Sequence, residues 1–174
     1  MEKPFVAVIG PGALGGVLAA SLLRTGRRVV LVGREGRSLR RLRREGLSLT
    51  ALSGRTRHLR GLELPGRLGP RGDCEALFLC VKSRDLAPAL RAASSLAGPR
   101  SAVVSLLNGV DHAGPILRAF GEDRTVLGSC YFAAMRTSPC SVRHTGRGPV
   151  LLARSQGNSA ALAAAMRLLR EAGW

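Results

Sequence analysis

The fold of this chain is decided by residues 5–16, which read FVAVIGPGALGG. Five apolar residues are typical of a short buried strand, and the glycines after them have the spacing G-x-G-x-x-G before an apolar, helix-forming stretch. In such a turn Gly10 permits a tight bend, Gly12 lets the backbone approach a pyrophosphate, and Gly15 lets the helix pack against the strand. The segment therefore predicts a dinucleotide site at a helix N-terminus. A glycine-rich turn without a ligand is the alternative.

Strands and helices alternate along the rest of the chain. This alternation implies right-handed βαβ crossovers and predicts an α/β fold of the Rossmann type, with a doubly wound, mostly parallel sheet. Successive strands in the last third predict that the sheet is mixed towards the C-terminus, and a hairpin is predicted around Ser53-Gly54. Residues 1–174 are interpreted as one domain. The further predicted strands are 28–32, 76–81, 101–107, 125–132, 141–144 and 149–153, and the helices are 36–45, 85–96, 116–120 and 160–170.

The formal net charge is +16, which raises the alternative of a nucleic-acid-binding protein. All 27 Lys and Arg residues except Lys3 and Lys82 are arginine, and they are spread from end to end. A local cluster occurs only at residues 40–44, and no zinc-finger spacing or aromatic RNA-binding motif accompanies it. We therefore expect no specific nucleic-acid partner.

The chain contains four cysteines. They have no C-x-x-C spacing and no paired histidines, so we expect no metal site and interpret them as reduced cysteines of a cytoplasmic protein. Residues 5–23 lack charged side chains, as a membrane span does, but glycines and Pro11 interrupt them. We expect a buried strand, turn and helix there rather than a membrane segment.

The residues after the second strand indicate which dinucleotide is bound. An acid at this position takes the ribose 2′-hydroxyl of NAD, whereas a cation accommodates the 2′-phosphate of NADP. Here Arg34 follows Gly33, and Arg37 lies about one helical turn further on. The pattern favours NADP, with chance placement in an arginine-rich chain as the alternative.

Two polar residues follow later predicted strands. Lys82 comes after the third strand and Asn108 after the fourth. The carboxyl ends of parallel strands meet at one edge of the sheet, where open α/β sheets bind their ligands. Both side chains are therefore candidates for the binding of cofactor and substrate. The alternatives are a surface lysine and a turn-forming Asn-Gly pair.

Four motifs in this order resemble the N-terminal domain of ketopantoate reductases (2-dehydropantoate 2-reductases), over essentially the whole chain. They are G-x-G-A-L-G-G at 10–16, Gly-Arg at 33–34, V-K-S at 81–83 and L-N-G-V at 107–110. The resemblance implies that Arg34 binds the 2′-phosphate and that Lys82 and Asn108 position nicotinamide and substrate. It also implies a backbone contact to the cofactor at Ala134. The loop residues that it assigns to the cofactor are Gly10, Pro11, Gly12, Ala13, Leu14 and Gly15.

The resemblance implies NADPH-dependent reduction of a 2-oxo acid, 2-dehydropantoate, to pantoate in pantothenate biosynthesis. In that family a second, helical domain supplies a catalytic lysine as the proton donor, and no counterpart occurs before Trp174. We therefore expect this chain to supply the cofactor-binding half and to be inactive alone, with a homodimer as a further expectation for the full-length enzyme. The alternatives are another NADP-dependent oxidoreductase of two domains and a non-catalytic NADP-binding protein.

Overall fold

A computed structural model describes residues 4–66, 73–109 and 111–174. Within these residues the chain forms ten strands, five α-helices and one turn of 3-10 helix at Ser83–Asp85. The strands are β1 (Phe5–Ile9), β2 (Arg28–Val32), β3 (Leu47–Thr50), β4 (Thr56–Leu59), β5 (Cys74–Leu79), β6 (Ala102–Ser105), β7 (Thr125–Cys130), β8 (Ala133–Ser138), β9 (Ser141–Gly146) and β10 (Val150–Leu152). The helices are α1 (Ala13–Leu23), α2 (Arg37–Glu45), α3 (Leu86–Ser94), α4 (Ala113–Phe120) and α5 (Ser159–Glu171).

The main sheet has the strand order β10-β7-β6-β5-β1-β2. Its strands are parallel except β10, which is antiparallel to β7. All residues of β1 and β6 are buried, because helices cover both faces of the sheet. The predicted α/β fold of the Rossmann type, with a mostly parallel sheet that becomes mixed towards the C-terminus, is confirmed.

Every strand and helix predicted from the sequence is present, with bounds shifted by a few residues. The largest shifts are at the starts of two helices: α1 begins at Ala13, inside the glycine turn that it was predicted to follow, and α4 begins at Ala113 rather than Ile116. The hairpin predicted around Ser53-Gly54 is formed by β3 and β4. Gly54 has a φ of 79°, the left-handed conformation that such a turn needs.

A second sheet was not predicted. It has the order β4-β3-β9-β8, and β8 has no counterpart among the strands predicted from the sequence. The expectation of one mixed sheet was therefore wrong for β8 and β9, which leave the main sheet and pair with each other and with the β3–β4 hairpin. The side chains of β8 are mostly exposed, so its sequence lacks the apolar alternation that reveals a strand.

Helix α1 lies between the two sheets, in contact with β1 and β2 on one side and with β3, β8 and β9 on the other. This position explains why it is apolar all round, with every residue from Gly15 to Leu22 buried. Two adjacent glycines of α1 make close contacts on its two sides. A Cβ on Gly15 would collide with the Gly10 carbonyl, and a Cβ on Gly16 would lie 2.6 Å from Cγ1 of Val142 in β9.

The hydrophobic core has two parts, one on each face of the main sheet. One part joins the sheet to α1, α5 and the second sheet, and the other joins it to α3 and α4. The helices thus cover both faces, as a doubly wound sheet requires. No helix in the described part of the chain is long and apolar enough to cross a membrane.

We expect Gly16→Ala to destabilise the chain by about 1–3 kcal/mol, because the added methyl group overpacks the contact with Val142. Helix propensity alone has the opposite sign, since alanine stabilises a helix interior by about 1 kcal/mol relative to glycine. The sign of the change in the free energy of unfolding, measured in urea, therefore separates packing from propensity. A Gly16→Ala chain more stable than the unmutated one would contradict this account.

The matched control is a double-mutant cycle with Val142→Ala, which opens space for the added methyl group. We expect Gly16→Ala and Val142→Ala together to cost less than the sum of the single changes, because residues in contact are coupled. If the changes in the free energy of unfolding were additive, the cost of Gly16→Ala would not arise from its contact with Val142.

Candidate functional site

A cleft of about 960 Å³ opens at the carboxyl ends of β1, β2 and β5. The chain leaves β1 for β2 on one side and returns to β5 on the other, so the cleft lies at the point where the strand order reverses. Open α/β sheets bind ligands at such points. The lining comes from the ends of these strands and the loops after them, from residues of α1, α2 and α3, and from Arg136 of β8 and Pro139 in the turn after it.

The fingerprint glycines have different roles in the structure. Gly10 has a φ of 113°, and a Cβ there would lie 2.5 Å from the Cys80 carbonyl oxygen. A Cβ on Gly15 would collide with the carbonyl oxygen of Gly10. Both positions are therefore glycine because the chain has no room for a side chain, and neither by itself indicates a ligand.

Gly12 is different, because a Cβ added to it would meet nothing within 4 Å. Its φ of −81° and ψ of −166° suit any residue. Neither its conformation nor its neighbours require glycine. The open space lies over the cleft, where Gly12 is a lining residue. A bound group that approaches the backbone closely is a reason for glycine at this position.

Gly12 is also the N-cap of α1, and no side chain caps this helix end. The first N–H groups of an α-helix have no partner within the helix and carry partial positive charge. The first turn of α1 contains no acidic residue that would compensate this charge. The cleft therefore begins at a helix end that favours an anion.

Basic residues outnumber acidic ones in the described lining of the cleft, which suits a polyanionic ligand. Two carboxylates, Glu35 and Asp85, are accompanied by a larger set of cations. These are Arg34, Arg37, Lys82, Arg84 and Arg136.

Arg34 follows β2 and lines the cleft, as expected from the sequence. Its side chain is 80% exposed, and its Nη1 lies 3.6 Å from Oδ1 of Asp85 on the 3-10 turn after β5. This long, exposed ion pair holds Arg34 only weakly. The contact joins segments distant in the sequence, so sequence reasoning missed Asp85 as a neighbour of Arg34.

Sequence reasoning also missed Glu35 and Arg136. Glu35 follows Arg34 on the rim of the cleft, and its position directly after the decisive arginine was the available signal. Arg136 lies on β8 and donates a hydrogen bond of 3.3 Å from Nη1 to the Pro11 carbonyl. No sequence signal pointed to Arg136, because the strand that carries it was not predicted.

The other candidate residues lie at different depths. Lys82 is exposed at the end of the loop after β5. Both Lys82 and Ala13 line the cleft, whereas Leu14 packs against the core. Asn108 is exposed in the segment between β6 and α4, and Ala134 is half-buried on β8; both lie outside the lining of this cleft. Val110 of the L-N-G-V motif is outside the described residues.

Three of the four cysteines have thiols that are unsuited to act as a nucleophile. Burial raises the pKa of Cys74 and Cys130 to about 12, and it raises that of Cys80, which lines the cleft, well above its ordinary value. All three thiols are therefore protonated near neutral pH, and a thiol in that form is a poor nucleophile and metal ligand. The described residues also contain no group of three or more His, Cys, Asp or Glu that could hold a metal ion.

Solved structures share this fold. The chain matches a D-mandelate dehydrogenase solved with NADH and anilino(oxo)acetate with a TM-score of 0.87 and 23% identity, over 97% of this chain and 54% of that one. It matches a 2-dehydropantoate 2-reductase from Geobacter metallireducens GS-15 with a TM-score of 0.82 and 23% identity, over 97% and 55%. At this identity the likeness establishes the fold.

Sequence comparisons are more specific. The chain is 32% identical over 152 residues to a 2-dehydropantoate 2-reductase of Halobacterium salinarum, which is 87% of this chain and 50% of that protein. A 2-dehydropantoate 2-reductase of Mesorhizobium japonicum is 26% identical over 160 residues. The chain thus spans about half the length of the curated relatives it matches. A family model described as ketopantoate reductase PanE/ApbA matches residues 6–157. The chain therefore belongs to the ketopantoate reductase PanE/ApbA family.

Proposed function

We propose that this chain supplies the cofactor-binding half of an NADPH-dependent reductase that converts 2-dehydropantoate to pantoate in pantothenate biosynthesis. The observation that carries the proposal is Gly12, a glycine that the chain's own packing does not require and that faces the cleft. Dinucleotide binding supplies the missing reason, since the backbone must come close to a pyrophosphate. Family membership and the 32% identical relative support the reaction.

The residues at the cleft fit this cofactor. In the proposal, Gly10, Pro11, Gly12 and Ala13 form the wall against the pyrophosphate, and the backbone N–H groups of Leu14 and Gly15 in the first turn of α1 face its charge. Arg136 adds a guanidinium beside Pro11. Cations and a helix N-terminus together favour two adjacent phosphates.

Arg34 is the residue that we assign to the 2′-phosphate of NADP. It is exposed at the end of β2 and only weakly paired with Asp85, so little is lost when it turns to a phosphate. Arg37 lines the same part of the cleft and can add a second contact. NADP is therefore proposed over NAD.

Lys82, Asn108 and Ala134 are assigned to the nicotinamide and the substrate. When bound, the nicotinamide supplies a hydride to the ketone of a 2-oxo acid. The exposed ammonium group of Lys82 is suited to stabilise the negative charge that develops on the substrate oxygen. Asn108 would position the substrate through its amide, and the backbone at Ala134 would contact the cofactor.

The basic charge of the chain is assigned no role in nucleic-acid binding. Within the arginine cluster of α2, Arg41 pairs with Glu45 at 2.8 Å and Arg43 pairs with Glu35 at 2.7 Å. These carboxylates compensate part of the charge that a phosphate backbone would need. A cytoplasmic location and a homodimer of the full-length enzyme stay predictions.

The first test is Gly12→Ala. We expect the melting temperature without ligand to fall by no more than a few degrees, because the added methyl group meets no atom of the chain and only the preference of a helix N-cap for glycine over alanine is lost. We expect the Kd for NADPH, measured by fluorescence titration, to rise about tenfold or more, because the methyl group occupies space needed by the pyrophosphate. Unchanged NADPH affinity would show that the loop is not the cofactor cradle.

The second test concerns cofactor choice. We expect the unmutated chain to bind NADPH more tightly than NADH, and Arg34→Asp to raise the Kd for NADPH about ten- to a hundredfold through loss of a charged hydrogen bond. Arg57→Asp on β4, outside the cleft lining, is the control with the same charge change. Equal affinities of the unmutated chain for NADPH and NADH would overturn the assignment of the 2′-phosphate.

The third test concerns catalysis by these 174 residues alone. We assign no residue here as general acid, and loss of a positioned acid costs roughly 10²–10⁴ in rate. We therefore expect NADPH absorbance to fall barely or not at all with 2-dehydropantoate. Turnover at an ordinary enzymatic rate, on the order of 1–10³ per second, would show that Lys82 or another residue here acts as the acid. Two other results would favour the alternative functions. Reduction of a different 2-oxo acid but not of 2-dehydropantoate would favour another oxidoreductase. NADPH binding without turnover in the full-length protein would favour a non-catalytic binding protein.

A further inference from the structure

We propose that Arg43 determines cofactor preference by holding Glu35 out of reach of the ribose. The inference rests on the proposed function, because it concerns the same NADP site. It assigns a role to a side chain of α2 that lies outside the lining of the cleft. The role is indirect, so Arg43 is a positioning residue whose effect passes through Glu35.

The loop after β2 presents two opposite charges to one part of the cleft. Arg34 and Glu35 are consecutive, and both are lining residues. An acid in this region accepts hydrogen bonds from the ribose hydroxyls of NAD and repels the 2′-phosphate of NADP. A free Glu35 would therefore oppose the preference that Arg34 confers.

Arg43 engages both oxygens of Glu35. Its Nη2 donates to Oε2 at 2.7 Å and its Nη1 donates to Oε1 at 3.0 Å. This is a bidentate pair, which fixes orientation as well as distance. Arg40 adds a weaker contact, with Nη1 4.0 Å from Oε1 of Glu35.

The guanidinium of Arg43 is itself held from a second direction. Its Nε donates to the Leu64 carbonyl at 2.8 Å, and Nη2 also donates to the Pro65 carbonyl at 3.0 Å. These bonds anchor Arg43 to the segment after β4. Arg43 is thus positioned by the fold whether or not a ligand is present.

The charge of Glu35 makes this restraint necessary. Its hydrogen bond with Arg43 lowers the pKa of the carboxyl group below the ordinary value, so Glu35 is an anion near neutral pH. Arg34 is restrained far less, by one contact of 3.6 Å at 80% exposure. At the rim of the cleft, Glu35 is therefore held by an ion pair while Arg34 can move to a ligand.

The experiment measures the Kd of NADPH and of NADH for Arg43→Leu. We expect the preference for NADPH, the ratio of the two Kd values, to fall about three- to tenfold, as for the loss or gain of one exposed charge contact. Adding Glu35→Gln to Arg43→Leu should restore the ratio, because no anion is then released. A general loss of structure weakens both cofactors alike and leaves the ratio unchanged.

Arg41→Leu is the matched control. It removes the same charge from the same helix, but Arg41 pairs with Glu45 rather than with Glu35. We expect the NADPH preference of Arg41→Leu to equal that of the unmutated chain. If Arg43→Leu does not fold, Arg43→Gln removes the charge while its amide can still donate to the Leu64 or Pro65 carbonyl.

Two results would overturn the role of Arg43. One is an unchanged cofactor ratio in the folded Arg43 variant, and the other is failure of Glu35→Gln to restore the ratio. Failure of the proposed function has a different signature, since the unmutated chain would then show no preference for NADPH at all.

Discussion

The position of α1 between two sheets, with no room for a side chain at Gly15 on one side or at Gly16 on the other, is the constraint on which the rest of the structure depends. Gly15 lets the helix approach the turn after β1, and Gly16 lets β9 approach the helix. These contacts fix the helix N-terminus at the carboxyl end of β1 and place the second sheet beside it. The cleft depends on the close approach of α1 to the turn after β1 and of β9 to α1. The glycine loop forms one wall of the cleft, and Arg136 of β8 contacts this loop at Pro11.

The fold could be predicted from the sequence where burial leaves a periodic pattern. The continuous apolar runs of β1 and β5 and the two leucines of α2, Leu39 and Leu42, are signals of this kind. The strand β8 leaves no such signal, because most of its side chains are exposed and its pairing with β9 is what makes it a strand. The separate sheet was missed for the same reason.

The candidate site could be predicted only where residues follow strand ends. Arg34 and Lys82 line the cleft because each lies within three residues of the carboxyl end of a parallel strand, and the register of those strands brings them to one edge. Asp85 and Arg136 reach the same cleft through contacts between distant segments, which one sequence does not encode as a motif. Glu35 was visible as a residue, but its restraint by Arg43 depends on how α2 lies against the segment after β4.

The arginines of this chain have different surroundings at the two ends of the main sheet. At the amino ends of the strands, Arg27 bonds Glu75 at 2.7 Å and Glu171 at 2.7 Å, and Arg167 also pairs with Glu75, so β5 is tied to α5 by matched charges. Elsewhere an arginine joins segments through carbonyls, as Arg124 does with Phe120 and Gly98. At the carboxyl ends the described lining instead has more cations than carboxylates. The lining has five cations and two carboxylates, close to the proportion of 27 cations to 11 acids in the whole chain. The excess positive charge is therefore not confined to the cleft, but the cations that line it, unlike those that tie the fold together, are available to a polyanionic cofactor.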